Sequence, residues 1–360
     1  MALCSVFLLA PVADLQLDGL SMRAACKAEG KEYLFKLLDR AMKPSAAMSP
    51  QGPPRWLNAM LSALPVGHAV GEVLKRASAG DEAARAEVDG MGLWLCWKAG
   101  LGGCVRPHQR IAIDHAVEVE QASLQALGRL TEGAYGQAAD LVAANPLICC
   151  YANDASLARL SGAESHVAAL PARAACLCEF LLSQIARVEV QIASARPAVS
   201  NAVFGALLDG DPARRCNPGG VLVRSIQARF GATSLEGLLK LNAGSSAPAV
   251  IDESTLKRWS SGAVFPSNDK VAHLIRSVLQ TTHASADDGQ AVLDYFGEQY
   301  WAARRLQKLL EIARQLHRSA PASFGWQEML GDTTPDAWCR RRYPFWLQHW
   351  NRQGLACQQA

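Results

Sequence analysis

The chain reads as an all-α protein, on three grounds. Apolar residues recur three or four positions apart through several long segments, the period of a helix that buries one face. Alternation of period two, the mark of a half-buried strand, is nearly absent. Half of the 360 residues are hydrophobic and 19% are charged, enough apolar material for two or three domains with cores of their own and unlike a disordered chain. There is no internal repeat at a solenoid period.

The first segment in order is Ala2–Ala13, an uncharged apolar run with Pro11 inside it and no Lys or Arg before it. It is too short to span a bilayer and suits a buried first helix or strand better than a cleaved signal. No other segment approaches a spanning length by inspection, so a soluble, cytoplasmic protein without a membrane partner is expected. Lys31–Met42 places Leu34, Leu37 and Leu38 on one helical stripe, and Lys43–Pro54, rich in Pro, Ser and Gly, reads as a linker. From Ile111 to Ala144 an Ala-rich pattern with Ile113, Val117, Leu124, Leu127, Leu141 and Val142 predicts helix up to Asn145-Pro146, with a break near Gly133. A second long helix is expected to follow Pro171 and stop before Pro197, with Cys178, Leu181, Ile185, Val188 and Ile192 on its apolar face. A third runs from Ala291 to Arg318 through Phe296, Tyr300, Leu306, Leu309, Leu310, Ala313 and Leu316. These elements divide the chain into residues 1–54, a helical domain at 55–200, a module at 201–285 and a helical, basic and aromatic region at 286–360.

Charge and cysteine content narrow the function classes. Eleven cysteines, an odd number scattered through a large chain, argue against a disulfide framework and for reduced, mostly buried thiols. Net charge is only +3, but residues 211–360 hold 18 Lys and Arg against 13 Asp and Glu, and residues 1–210 hold 18 against 20. The mild basic excess of the C-terminal part permits an anionic partner without requiring one.

The most informative stretch is Ile251–Leu279 with the helices before it. Val223, Ile226 and Phe230 form a stripe on a helix that ends at Gly231. Thr233-Ser-Leu-Glu236 has the form of a capping box, the Thr233 hydroxyl accepting from the Glu236 N–H, and opens a helix through Leu241 that buries Leu235, Leu238 and Leu239. After a polar loop, Asp252 caps a helix to about Trp259 in which Leu256 and Trp259 face inward. Ser254, Thr255, Lys257 and Arg258 are left for solvent or a ligand. Gly262 suits the left-handed position past a helix end, Pro266 forces an extended step, and Ser267 caps a helix with Val271, Leu274, Ile275 and Val278 on its buried face.

Residues about 222–280 resemble the Cro/C1-type (XRE-like) helix-turn-helix family. The resemblance rests on Ser254-Thr255, Leu256, Trp259, Gly262 and Pro266, which match a small-polar helix start, an inward aliphatic, an aromatic three residues on, and a glycine and proline before the next helix. It implies a DNA-binding protein of bacterial type that regulates transcription and binds double-stranded DNA as a homodimer. The helix from Asp252 would lie in the major groove, with Ser254 and Thr255 at base edges or phosphates. Lys257 and Arg258 would neutralise phosphates, and Ser267 and Lys270 would hold another at the next helix start. Against this stands a different class: a helical protein-interaction or effector protein whose helix-turn-helix-like region is only structural. The carboxylates of Asp252 and Glu253, and the nine residues Asn242–Val250 where the motif uses a three- or four-residue turn, favour that alternative.

Other constellations are weaker. Trp338–Arg352 interleaves Arg340, Arg341, Arg342 and Arg352 with Tyr343, Phe345, Trp346 and Trp350. It suits either a terminal helix opened by Pro344 that buries Phe345, Trp346 and Trp350, or contact with single-stranded nucleic acid or a protein partner. Cys96, Cys104, His108 and His115 lack the spacing of a structural zinc site, as do Cys149-Cys150 and Cys176-x-Cys178, and no metal is expected. Arg304, Arg305 and Lys308 read as a solvated face. No phosphate loop, dinucleotide fingerprint, nucleophile elbow or zinc-protease motif is present, so neither a cofactor nor an enzyme is expected, although an unrecognised Cys or His chemistry stays open.

Overall fold

A computed structural model of the chain describes residues 107–195, 204–208, 215–243, 251–282, 286–319, 330–331 and 334–358, together with Arg76. The apolar run Ala2–Ala13, the helix Lys31–Met42, the linker Lys43–Pro54, and Cys96 and Cys104 lie outside the described residues. Among the described residues there are ten α-helices and no strand, so the fold is all-α. Two compact units divide the chain, Met1–Phe180 with Ala320–Gly331, and Leu181–Ser319 with Asp332–Ala360.

In the first unit α1 (Pro107–Thr131) packs on α2 (Tyr135–Ala144), and α2 packs on α3 (Asp154–Ser161). The break between α1 and α2 falls at Gly133, which takes φ 76°. The Ala134 N–H donates back to the Arg129 carbonyl at 2.8 Å, closing the left-handed helix end that a side chain with a Cβ would strain. Asn153 caps α3 by accepting from the Ser156 N–H at 2.8 Å. The core holds Leu127, Leu130, Val142, Ile148, Tyr151 and Phe180. His115 is buried there too, its Nε2 2.6 Å from the Tyr151 hydroxyl.

Helix α4 (His166–Ala195) opens in this unit, and the boundary between the units falls within it. It begins five residues earlier than the proline rule predicts. The Ser165 hydroxyl accepts from the Ala168 N–H at 3.2 Å and starts the helix, so Pro171 sits inside it. The hydrogen bond that Pro171 cannot donate is offset by burial, because every residue from Pro171 to Ala186 is buried. With that longer start, α4 is long and apolar enough to cross a membrane, contrary to the expectation that no such segment exists. Its most apolar window has a mean hydropathy of 1.3 and is 78% buried within the protein.

The second unit contains Leu181–Ala195 of α4, a 3₁₀ turn at Gly205–Leu208, and helices α5 (Pro218–Arg229), α6 (Leu235–Ala243), α7 (Glu253–Ser261), α8 (Asn268–Thr281), α9 (Ala286–Ser319) and α10 (Pro335–Gln358). Helix α5 packs on α7 and α9, α6 on α7 and α8, α8 on α9, and α9 on α10. Two starts differ from the sequence expectation. Helix α9 begins at Ala286, where Asp287 and Asp288 favour the positive end of the helix dipole. Helix α10 begins at Pro335, with the Thr334 hydroxyl accepting from the Ala337 N–H at 3.2 Å, so Pro335 takes the first-turn place expected for Pro344.

Buried polar contacts tie these helices together. Arg314 on α9 pairs with Asp336 on α10, its Nε donating to Oδ2 at 3.1 Å and its Nη2 to Oδ1. The same Nη2 donates to the Cys216 carbonyl at 2.9 Å, and the Cys216 N–H donates to Asp336 at 2.7 Å. The chain entering α5 is thereby held on two helices. Glu189 on α4 accepts from the Phe204 N–H at 2.9 Å and from the Tyr343 hydroxyl.

Candidate nucleic-acid interface

The module Asn217–Thr282 is built from caps and one close helix approach. Asn217 opens α5: its Oδ1 accepts from the Gly220 N–H at 2.9 Å, with Pro218 in the first turn. Its Nδ2 donates to the Ser260 carbonyl of α7, also at 2.9 Å. A Cβ on Gly220 would stand 2.4 Å from that carbonyl, so only glycine lets α5 and α7 approach this closely. Leu222, Val223 and Ile226 of α5 are buried.

Helix α6 opens differently from the predicted capping box. The cap is Ser234, whose hydroxyl accepts from the Gly237 N–H at 3.0 Å, and the helix begins at Leu235. Glu236 does not reach back but pairs with Lys240 at 2.9 Å, one turn on. Leu238 is fully buried, whereas Leu235 and Leu239 are half-buried.

Helix α7 forms as its residues dictate. Asp252 caps it by accepting from the Thr255 N–H at 2.7 Å, Leu256 and Trp259 are buried, and Gly262 takes φ 78° at its end. The turn that follows is anchored on α9: the Tyr300 hydroxyl donates to the Pro266 carbonyl at 3.1 Å, and the Arg304 guanidinium lies 5.2 Å from the centre of the Phe265 ring. Burial pushes the Tyr300 hydroxyl up to about 12, so it stays a donor at any physiological pH. Helix α8 then buries Val271, Leu274, Ile275 and Val278. Ser267 stands at its N-cap, but the hydroxyl makes no capping hydrogen bond.

The structure places Ser254, Thr255, Lys257 and Arg258 along α7, with Arg258 in its last turn, and Ser267 and Lys270 at the start of α8, in different states. Ser254 is exposed and its hydroxyl donates to Asp252 at 3.0 Å. Thr255 is half-buried and held by the same carboxylate. These hydrogen bonds hold the Asp252 carboxyl below the usual carboxylate range. Lys257 is exposed and paired with Glu253 at 2.7 Å. Arg258, Ser267 and Lys270 are exposed and have no side-chain partner among the described residues. The pairs within α7 lie at the surface, where an ion pair contributes about 0–1 kcal/mol and can be exchanged for a stronger anion.

Residues that position this surface were not legible as such: Asn217, Tyr300 and Arg304 act across 34 to 43 positions of chain or from a different helix. The one available signal was Asn217-Pro218, a cap followed by a first-turn proline. Arg304, Arg305 and Lys308 are half-buried rather than a solvated face, because Arg304 covers Phe265 and Arg305 lies 5.7 Å from the Trp301 ring centre.

In the remaining constellations most rings and thiols are packed. Trp338, Tyr343 and Trp346 of α10 are fully buried and Trp350 donates to the Ser183 carbonyl at 3.0 Å, but Phe345, expected on the same buried face, is 46% exposed. Helical geometry turns position 345 away from 346 and 350. Cys176 and Cys178 are buried, and burial pushes the Cys176 thiol up to about 12 and Cys178 further. Cys150 is pushed to about 11 by burial and the neighbouring Cys149, so these thiols stay protonated at neutral pH. Burial and the nearby Arg173 hold His166 below the ordinary histidine value, and its ring meets Tyr135 edge-on at 5.8 Å. Among the described residues no group of three metal-binding side chains converges. No protein-family model, curated protein or solved structure matches this chain.

Proposed function

We propose that the module Asn217–Thr282 binds duplex DNA and that the protein is a transcriptional regulator of bacterial type. The observation that carries this reading is the division of α7 into two faces. Leu256 and Trp259 are buried against the module, while Ser254, Lys257 and Arg258 are presented outward, with Ser267 and Lys270 exposed at the start of α8. In this reading α7 enters the major groove, Ser254 and Thr255 meet base edges, and Lys257, Arg258 and Lys270 take phosphates. A homodimer in the cytoplasm follows from the same resemblance. The test is binding of a random-sequence duplex to the full chain at 50 and 200 mM salt. Three phosphate contacts correspond to about a 40-fold loss of affinity between those conditions, by counterion release. No binding at the lower salt overturns the proposal.

A second reading is favoured by one specific feature. Asp252 and Glu253 put two carboxylates at the tip of α7 and already engage Ser254 and Lys257. A surface neutralised in this way suits a helical interaction protein in which the module is a scaffold. Copurification of a stoichiometric protein partner with no affinity for duplex supports that reading.

A further inference from the structure

Helix α9 carries Tyr300 and Arg304 four residues apart, so both side chains leave the same face of the helix. Tyr300 is buried, and its hydroxyl donates to the Pro266 carbonyl at 3.1 Å. One turn on, the Arg304 guanidinium lies 5.2 Å from the centre of the Phe265 ring, and that ring tilts against Tyr300 at 5.7 Å. From the other side α5 closes on the same turn: a Cβ on Gly219 would stand 3.1 Å from the Phe265 ring. The turn that leaves α7 is therefore gripped between two helices, and Arg304 is brought to it from 37 positions beyond Ser267.

Phe265 occupies the flat face of this guanidinium and leaves its N–H donors unspent. Arg304 makes no hydrogen bond or ion pair among the described residues. The cations Arg258 and Lys270 are also without a side-chain partner there, as is the Ser267 hydroxyl. The carboxylates of α7 are engaged, Asp252 as its cap and Glu253 with Lys257, which leaves Asp269 as the acidic residue in the first turn of α8. Arg304 and Asp269 both lie close enough to act on the Tyr300 hydroxyl, which puts the arginine and the start of α8 at the same end of that side chain. Three cations against one carboxylate make the end of α7 and the start of α8 attractive to an anion.

We propose that Arg304 is a further phosphate contact of the duplex-binding surface, carried by α9 and lying outside the module Asn217–Thr282. This inference rests on the duplex reading of α7. With α7 in the major groove, a helix about 10–12 Å across fills a groove about 12 Å wide, so groups at the margin of its exit turn meet the flanking phosphates instead of bases. A guanidinium suits that place, because its fork can bind two phosphate oxygens at once. Stacking on Phe265 orients it in advance and reduces the freedom lost on binding. Its part is affinity and register, with no part in choosing the sequence.

The test is fluorescence anisotropy of the full chain with a labelled random-sequence duplex at 50 and 200 mM salt. Arg304→Gln keeps a flat polar group near Phe265 and removes the charge, and Arg304→Met keeps an apolar stem. Urea denaturation checks the folding of each, and either one that folds suffices. Both should lower the log–log salt slope by about 0.9 and so shrink the affinity loss between the two conditions about 3.5-fold. Arg304→Lys keeps the charge and should retain the slope while binding more weakly. A residue that only packs on Phe265 would shift the urea midpoint and leave the slope alone. Arg229→Met, an equal change in net charge at the exposed end of α5, should leave the slope close to that of the unaltered chain. Duplex binding with a slope unchanged in Arg304→Gln and Arg304→Met, or lowered equally in Arg229→Met, overturns this inference and leaves the duplex reading standing. No duplex binding by the unaltered chain overturns both, as does displacement of the duplex by polyglutamate as readily as by unlabelled duplex.

Discussion

Asn217 and Ser260 stand 43 positions apart, and the amide Nδ2 of the first donates to the main-chain carbonyl of the second at 2.9 Å. The same amide group caps α5 through its oxygen, which accepts from the Gly220 N–H. One side chain therefore satisfies an orphan donor at the start of α5 and a carbonyl at the end of α7, setting the distance between the two helices. Asn217→Ala removes both contacts and leaves the Ser260 carbonyl half-satisfied, a loss of about 1–3 kcal/mol. Asn217→Ser keeps a capping oxygen but cannot reach Ser260, so it should lose less. Urea denaturation of the full chain compares them, and equal losses would mean that the cap contributes nothing.

Gly220 sets two effects against each other. By helix propensity alone, Gly220→Ala in α5 should stabilise by about 0.8–1 kcal/mol. The added Cβ would stand 2.3 Å from Asn217 Nδ2 and 2.4 Å from the Ser260 carbonyl, which are a cap and main chain that cannot simply swing away. Overpacking of this kind costs about 1–3 kcal/mol, so steric exclusion should win and the variant should unfold at lower urea. A rise in midpoint would show that α5 and α7 separate freely.

How much of this was legible in the sequence depends on the range of the physics involved. The Asp252 cap, the Leu256–Trp259 spacing and Gly262 are read within one or two helical turns, and α7 forms accordingly. Gly133 ends α1 for the same local reason. Helix starts were less legible. Pro171 and Pro344 look like boundaries, yet each lies inside a helix whose burial outweighs one missing hydrogen bond. Thr233 and Ser234 are equally good caps by type, and only the position of α6 selects Ser234. Phe345 shares composition with its buried neighbours, and its exposure follows from the face it occupies.

The Arg314–Asp336 pair should make the second unit acid-sensitive. Burial alone would push the Asp336 carboxyl up, but the Arg314 guanidinium and the Cys216 N–H outweigh it and hold the carboxyl below its ordinary value. A depressed folded-state value means that the pair's stabilisation is present above the ordinary carboxylate range and is lost as pH falls through the lower folded value. Arg314→Met leaves a carboxylate buried without its cation and should cost about 3–5 kcal/mol at neutral pH. It should cost less at acid pH, where Asp336 can take a proton. Thermal unfolding at neutral and acid pH checks this, and a pH-independent loss would assign the effect to packing alone.

On the outward face of α7, Arg258 and Ser254 should fail in different ways. Arg258 is exposed and has no side-chain partner among the described residues, so replacing it removes a charge and little else. One phosphate contact fewer lowers the log–log salt slope by about 0.9. If α7 binds duplex DNA as proposed, Arg258→Ala should therefore weaken every duplex alike and reduce the affinity loss between 50 and 200 mM salt from about 40-fold to about 12-fold. Ser254 carries no charge, and its hydroxyl is bound to Asp252 at 3.0 Å. Ser254→Ala should leave the salt slope unchanged and alter which sequences are selected from a random pool. It also removes a hydrogen bond from Asp252, which would free that carboxylate to repel a nearby phosphate, so a uniform loss across sequences is the competing outcome. Selection on both variants separates the two, and a Ser254→Ala pool identical to the wild type at reduced affinity would give the tip of α7 an electrostatic role in place of base recognition.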